Sequence, residues 1–324
     1  MNDNMLGQPF QIKLLFLFVI LFLAGLACAR AGSPGPTPTA STPLPPGESS
    51  HTLSHDGRDR SYILYVPASV DWGQPVPLVF VFHGGTGNAQ SAIYMSGFND
   101  VADQHGFVVV YPNGTGRLSD DKLLTWNGGD CCAYAQAENV DDVGFVRAIV
   151  ADLQTQAAID AKRIYATGLS NGAMLTQRLA CQAANIFAAA APVAGTLNFP
   201  ACNPSQPISI IAFHGDNDQH VPYEGGRGPA SLVDVDFASV PDTMAFWREA
   251  NGCNSLPQSN TSDQTKHEIW VGCDGATAVE LYTIMGGGHA WPGGKPGWPG
   301  ADQPVTTISA SSLIWEFFAA HPRQ

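Results

Sequence analysis

The stretch Ala166-Thr167-Gly168-Leu169-Ser170-Asn171-Gly172 sets a serine between a strand-like run, Arg163-Ile164-Tyr165, and a helix-like run from Ala173 to Leu179. On a tight strand-to-helix turn a serine hydroxyl is held out from the carboxyl edge of a sheet, within reach of a base and a carbonyl carbon. Glycines two places before and two places after it leave room where a Cβ would strike neighbouring backbone. In a chain with 34 glycines this spacing is weak evidence by itself. A helix entered through a Gly-rich turn and capped by Ser170 or Asn171 carries the same letters. A serine hydroxyl is also a poor nucleophile near neutral pH, and it needs a base, an orienting acid and a site for the oxyanion.

Three further stretches supply them, each just after a predicted strand. His214-Gly215-Asp216-Asn217-Asp218 follows the apolar run Ile208 to Phe213, with Asp218 the favoured acid and Asp216 the reserve. Gly286-Gly287-Gly288-His289 follows Val279 to Ile284, and its glycines allow the backbone to swing the His289 ring over the serine. The oxyanion site would use the backbone N–H of Asn171 and that of Gly85, with Thr86 the alternative, from His83-Gly84-Gly85-Thr86 after the run Pro77 to Phe82. His83 itself reads as a structural hydrogen-bonding residue. Ser170, Asp218 and His289 occur in the order Ser…Asp…His of the α/β-hydrolases. Accidents at all three places together are improbable, so the catalytic reading overtakes the bland one.

The elements that must position these loops alternate. Ser61 to Val66, Pro77 to Phe82, Phe107 to Tyr111, Ala188 to Val193, Ile208 to Phe213, Glu268 to Val271 and Val279 to Ile284 read as strands. Several are apolar throughout, which implies a sheet covered on both faces: an α/β fold with a mostly parallel central sheet and helices on both faces. Together with the Ser…Asp…His order, this makes the α/β-hydrolase fold the expected one. Val143, Val146, Ile149, Val150 and Leu153 recur at helical spacing between Asp142 and Ile159, with Asn139 or Asp141 as candidate caps. A terminal helix is expected from about Thr307 to Ala319.

Lys13 precedes a run from Leu14 to Ala27 that holds no charge and is short for a membrane span, so residues 1–27 are read as a signal peptide. Leu23 to Cys28 also resembles a bacterial lipoprotein signal in which Cys28 is lipidated, although Gly25 stands where that pattern usually has Leu. Simple secretion is the other reading. Residues 28–50 are rich in Pro, Thr, Ser and Gly and form a disordered tether, leaving 51–324 as the catalytic domain. An extracellular or cell-surface bacterial location follows, with any membrane contact made through the Cys28 lipid only. Net charge is −13 with 15 Lys plus Arg, which argues against a nucleic-acid partner. The expected partner is an ester substrate, and a monomer is expected.

Besides Cys28 there are six cysteines, an even number that fits disulfides in an oxidising compartment. Proximity favours Cys253–Cys273 and Cys181–Cys202, which leaves Cys131 and Cys132 to pair with each other. No Cys-x-x-Cys or regular Cys/His spacing is present, so neither a metal nor a cofactor is expected. Trp126, Trp291 and Trp298 fall in loops expected to border the site. An aromatic wall of Trp126 and Trp291 would suit an aryl ester, and plain packing of irregular loops is the alternative.

His83-Gly84-Gly85, Trp126-Asn127, Cys131-Cys132, Val140-Asp141-Asp142-Val143-Gly144-Phe145, Gly168 to Gly172, His214 to Tyr223, Phe246-Trp247, Asn251-Gly252-Cys253 and Gly287 to Gly293 occur in this order. Together they resemble the secreted polyhydroxybutyrate depolymerase and feruloyl esterase family, related to carbohydrate esterase family 1, over about residues 51 to 320. The resemblance implies Ser170, Asp218 and His289 as a catalytic triad and supports the Cys253–Cys273 bridge. It implies a serine esterase, and the expected substrates are feruloyl or acetyl esters of plant polysaccharide or small soluble esters. A polyhydroxybutyrate depolymerase is the alternative, made less expected because no separate binding module follows. A non-catalytic binding protein on the same fold, or a peptidase, would be the more distant readings.

Overall fold

Runs of Val, Ile and Phe that are buried on both sides can only be central strands of a covered sheet, and the computed structural model shows them as such. It describes residues 43–118, 121–298 and 300–324. The leader, Cys28 and the first part of the tether lie outside the described residues. The strands are β1 (Gly47–His55), β2 (Arg58–Val66), β3 (Val76–Phe82), β4 (Val108–Pro112), β5 (Ile159–Leu169), β6 (Ala189–Val193), β7 (Ser209–Gly215), β8 (Gln258–Ser262), β9 (Thr265–Trp270) and β10 (Val279–Ile284). The α-helices are α1 (Ala89–Ser96), α2 (Phe98–His105), α3 (Ala133–Ala137), α4 (Asp142–Gln156), α5 (Asn171–Gln182), α6 (Val240–Ala250) and α7 (Ala310–Ala320). All ten strands join one sheet in the order β1-β2-β4-β3-β5-β6-β7-β10-β9-β8. From β4 to β10 the neighbours are parallel, and antiparallel strands finish both edges.

The period-two alternation of a strand divides each central run between two cores. Leu78, Phe80 and Phe82 of β3 pack with α4, α5 and α6 through Phe145, Ile149, Leu175, Leu179 and Trp247. Val79 and Val81 of the same strand pack on the opposite face against α1, α2 and α7, through Ala92, Phe98, Ile314 and Phe318. Each of these side chains is almost fully buried. Removal of that much apolar surface from water, worth about 1.5–3 kcal/mol for each large side chain, holds the helices on the sheet.

Local signals set the ends. Asp141 is the cap of α4, its carboxylate accepting the Gly144 N–H at 2.9 Å, and α4 stops at Gln156, before the expected Ile159. β1 begins at Gly47, so the last residues read as tether, 47–50, instead pair with Ile63 to Val66 of β2. Cys131–Cys132, Cys181–Cys202 and Cys253–Cys273 are all bonded. Three disulfides fit a protein of an oxidising compartment.

The start of α4 is tied to the sheet by a buried ion pair. Asp142 Oδ1 accepts from Arg60 of β2 at 2.7 Å, and its Oδ2 accepts the Asn127 N–H at 2.8 Å. Arg60 also donates to the Asn113 carbonyl at 3.1 Å and stacks over Phe145. Both partners are nearly inaccessible, so breaking the pair strands a guanidinium and an amide in the core. Asp142→Ala is expected to lower stability by about 3–5 kcal/mol, read as a fall of roughly 10 °C in Tm. The double variant Arg60→Met/Asp142→Leu should recover much of that loss; a single variant melting like wild type would show that the pair contributes nothing.

Candidate active site

β3, β5, β7 and β10 run parallel, so the loops that leave their carboxyl ends emerge at one edge of the sheet. These are the loops bearing His83 to Thr86, Ser170, Asp218 and His289. Ser170 sits at φ 57°, ψ −121°, a conformation that a side chain adopts only at a cost of about 1–3 kcal/mol. The turn is held on both sides, since the Ser170 N–H donates to the Val193 carbonyl at 2.9 Å and the Ser170 carbonyl accepts the Met174 N–H at 3.0 Å. A Cβ on Gly172 would lie 2.5 Å from the His83 carbonyl oxygen, so only glycine lets the elbow close onto β3. Among the described residues Ser170 Oγ has no hydrogen-bond partner, and it lines a cavity of about 500 Å³ that the His289 ring also lines.

β7 and β10 are neighbours, and their loops interlock. Asp216 N–H donates to Ile284, Asn217 N–H to Gly287, and the Asp216 carboxylate accepts the Gly286 N–H at 2.6 Å. A side chain at Gly215 would collide with the Gly287 backbone. Asp216, the reserve acid, is thus a loop clamp, and Asp218 is the residue that meets the histidine. Asp218 Oδ2 lies 2.6 Å from His289 Nδ1, while Oδ1 accepts the backbone N–H groups of His220 and Val221 at 2.8 and 2.9 Å. His214 Nε2 lies 3.4 Å from the same Oδ2 and donates to the Val221 carbonyl. Burial alone would raise the Asp218 pKa, but the charge of His289 and the hydrogen bonds of His214 and His289 outweigh it and hold the carboxyl well below the usual carboxylate range. An ionised Asp218 must accept from Nδ1–H, which leaves His289 Nε2 as the basic nitrogen.

The two residues expected to supply the oxyanion amides are close neighbours. Asn171 is the first residue of α5, where N–H groups have no intrahelical acceptor. A Cβ on Gly85 would lie 3.8 Å from the Asn171 Cβ, and one on Gly84 would lie 3.5 Å from the Ser170 Cβ. The Thr86 N–H is already given to the Leu124 carbonyl at 2.8 Å, whereas the Gly85 N–H has no acceptor among the described residues, which favours Gly85 over Thr86. His83 fixes that loop. Its Nε2 accepts the Gly114 N–H at 3.0 Å, so its Nδ1–H donates to the Gly84 carbonyl at 2.7 Å. Because a trans peptide points its C=O and N–H in opposite directions, pinning the Gly84 oxygen also aims the Gly85 N–H. Burial keeps this imidazole neutral by lowering its pKa to about 4.

Trp126 and Trp291, expected as pocket walls, do not line the cavity. Each indole N–H has found a buried acceptor: Trp126 donates to the His83 carbonyl and Trp291 to Ser311 Oγ, both at 3.0 Å. Trp126 is instead a prop beneath the elbow, exchanging two hydrogen bonds with the Asn171 side chain at 2.7 and 2.9 Å. Trp298 does line the cavity and stays 39% exposed. A separate apolar cluster containing Cys132, Met174, Val221 and Phe237, with Val233 against it, also lines the cavity. Sequence reasoning missed Met174, Phe237 and His220 as cavity residues, and it missed Asp302, which accepts the His289 N–H at 2.6 Å and steadies the base loop. Met174 lies four residues after Ser170, one helical turn on, and that spacing could have pointed to it; Asp302 stands in no motif.

This architecture is the α/β-hydrolase fold. Residues 60–212 match the family described as Esterase PHB depolymerase. The chain is 32% identical over 246 residues to Feruloyl esterase B of Piromyces equi, covering 74% of this chain and 44% of that protein. It is 29% identical over 269 residues to Poly(3-hydroxyalkanoate) depolymerase C of Paucimonas lemoignei, covering 75% of this chain and 63% of that protein. The chain thus spans less than two thirds of the length of each of these two relatives. Among solved structures, an acetyl xylan esterase from Aspergillus awamori superposes with a TM-score of 0.58 at 16% identity, over 84% of this chain and 99% of that one.

Proposed function

We propose that the protein is an exported serine carboxylic ester hydrolase in which Ser170 is the nucleophile, His289 the general base and acid, and Asp218 its orienting partner. The observation that carries this reading is the 2.6 Å contact of the buried Asp218 carboxylate with Nδ1 of His289, which lines one cavity with Ser170, Gly85 and Asn171. His289 Nε2 takes the Ser170 proton as Oγ attacks the ester carbonyl carbon. The carbonyl oxygen becomes an oxyanion between the Gly85 and Asn171 N–H groups, where each donor is worth about 2.7–4 kcal/mol. Nε2–H then protonates the departing alcohol, leaving an acyl-serine, and water repeats the cycle to free the acid. The apolar wall of Met174, Val221, Val233, Phe237 and Cys132 suits the acyl group.

Feruloyl or acetyl esters of plant polysaccharide, or small soluble esters, are the first reading, supported by the likeness to Feruloyl esterase B, and the apolar wall suits their acyl group. A hydroxybutyrate polyester is the second reading, favoured by the exposed apolar side chains Leu232 and Trp298 at the cavity. The deciding experiment incubates equal enzyme with methyl ferulate, acetylated xylan and a hydroxybutyrate oligomer, alongside labelling by a fluorophosphonate probe. Labelling with turnover of either of the first two esters is expected. Labelling with turnover of the oligomer alone would move the assignment to the polyester, and a protein that neither reacts with the probe nor turns over an ester is no serine esterase.

A further inference from the structure

Three rings meet where the cavity passes the base. The His220 ring centroid lies 4.9 Å from that of His289, and Trp298 lies 5.9 Å from His220 and 6.1 Å from His289. The His220 and Trp298 planes stand at 84° to each other and form a corner, and both residues line the cavity. The corner is anchored. The His220 N–H is held by Asp218 Oδ1, and the loop before Trp298 is fixed by the Lys295 N–H on the Met95 carbonyl at 3.0 Å.

We propose that the His220–Trp298 corner is a subsite for a sugar residue on the alcohol side of the scissile ester. This rests on the esterase reading above. With the carbonyl carbon on Ser170 and its oxygen between Gly85 and Asn171, the departing oxygen must lie at His289 Nε2, which protonates it. The alcohol group is therefore the part of the substrate beside His289, and the rings flanking His289 are its walls. A sugar offers a flat face of C–H bonds whose partial positive charge suits the negative face of an aromatic ring. A methyl group is too small to reach both rings, and a hydroxyalkanoate chain has no flat face to lay on either. Burial, and next the charge of His289, lower the pKa of His220, so the corner carries a neutral imidazole that does not oppose the imidazolium formed on His289 during turnover.

The test compares kcat/KM for a feruloylated arabinose with kcat/KM for methyl ferulate in wild type, Trp298→Ala, His220→Ala and Trp298→Phe. The ratio of sugar ester to methyl ester is expected to fall roughly three- to tenfold in each alanine variant, the range an aromatic contact supplies, and to return toward wild type in Trp298→Phe. Unfolding curves matching wild type establish that the alanine variants are folded, and because the readout is a ratio within one enzyme, a general loss of active protein cancels. If both esters are hydrolysed and the ratio is the same in all four proteins, the subsite is wrong and the esterase reading stands. If wild type hydrolyses neither ester nor any other, the esterase reading fails and the subsite fails with it.

Discussion

Replacing Ser170 by alanine is expected to lower kcat on any hydrolysed ester by about 10⁴- to 10⁶-fold while the unfolding transition stays near that of wild type. The activity loss follows from the chemistry, since the variant lacks the hydroxyl that attacks the ester carbonyl. The unchanged stability follows from the structure. Ser170 Oγ has no hydrogen-bond partner among the described residues, so its removal orphans nothing, and alanine at φ 57° is as strained as serine was. His289→Ala is expected to lower kcat comparably, yet it also removes the main partner of a buried carboxylate and so should lower Tm as well. The double variant should be no slower than either single one, because nucleophile and base act as one unit and the residual rate belongs to the oxyanion site and binding. Turnover measured on purified, folded protein at matched concentration decides the matter: a Ser170→Ala enzyme within tenfold of wild type removes the serine from the mechanism.

The fold and the site were legible to different depths. Strands whose apolar runs are buried on both faces could be read almost to the residue: Val279 to Ile284 is β10 as expected, and Pro77 to Phe82 is β3 less one residue. So could the loops that follow them, because a parallel sheet places every such loop at one edge. The edge strands were hidden. β1 reads Gly-Glu-Ser-Ser-His-Thr-Leu-Ser-His and β8 is exposed at every position, so neither carries a hydrophobic pattern, and their pairing is set by β2 and β9. α1 and α2 were hidden for another reason. Each has eight residues, too few for periodicity to stand out, and each ends at a left-handed glycine, Gly97 or Gly106. The tryptophans misled because their type fits a pocket wall and a buried prop equally. Only the location of an acceptor for each indole N–H separates the two, and that acceptor lies far away in sequence: the His83 carbonyl for Trp126, Ser311 for Trp291.

Asp218→Asn is expected to lower kcat by about 10⁴-fold without displacing any loop. The amide keeps one oxygen for the His220 and Val221 N–H groups, so its NH₂ is turned toward His289 Nδ1. Two donors cannot share that contact, and the ring must place its proton on Nε2, where it can no longer accept from Ser170. The same exchange has a pH signature in stability. The native carboxyl of Asp218 sits well below its unfolded value of about 3.9, so the native state binds the proton less tightly than the unfolded chain does. Its contribution is fully present above the unfolded pKa and is lost as pH falls through that value toward the native one. The gap in stability between wild type and Asp218→Asn should therefore be constant from neutral pH down to about 5 and close as the pH drops below about 4. Thermal unfolding of both proteins across that range measures it. A gap that persists undiminished at the acid end would mean that Asp218 is not held ionised by His289 and His214, and the tautomer assigned to the base would lose its cause.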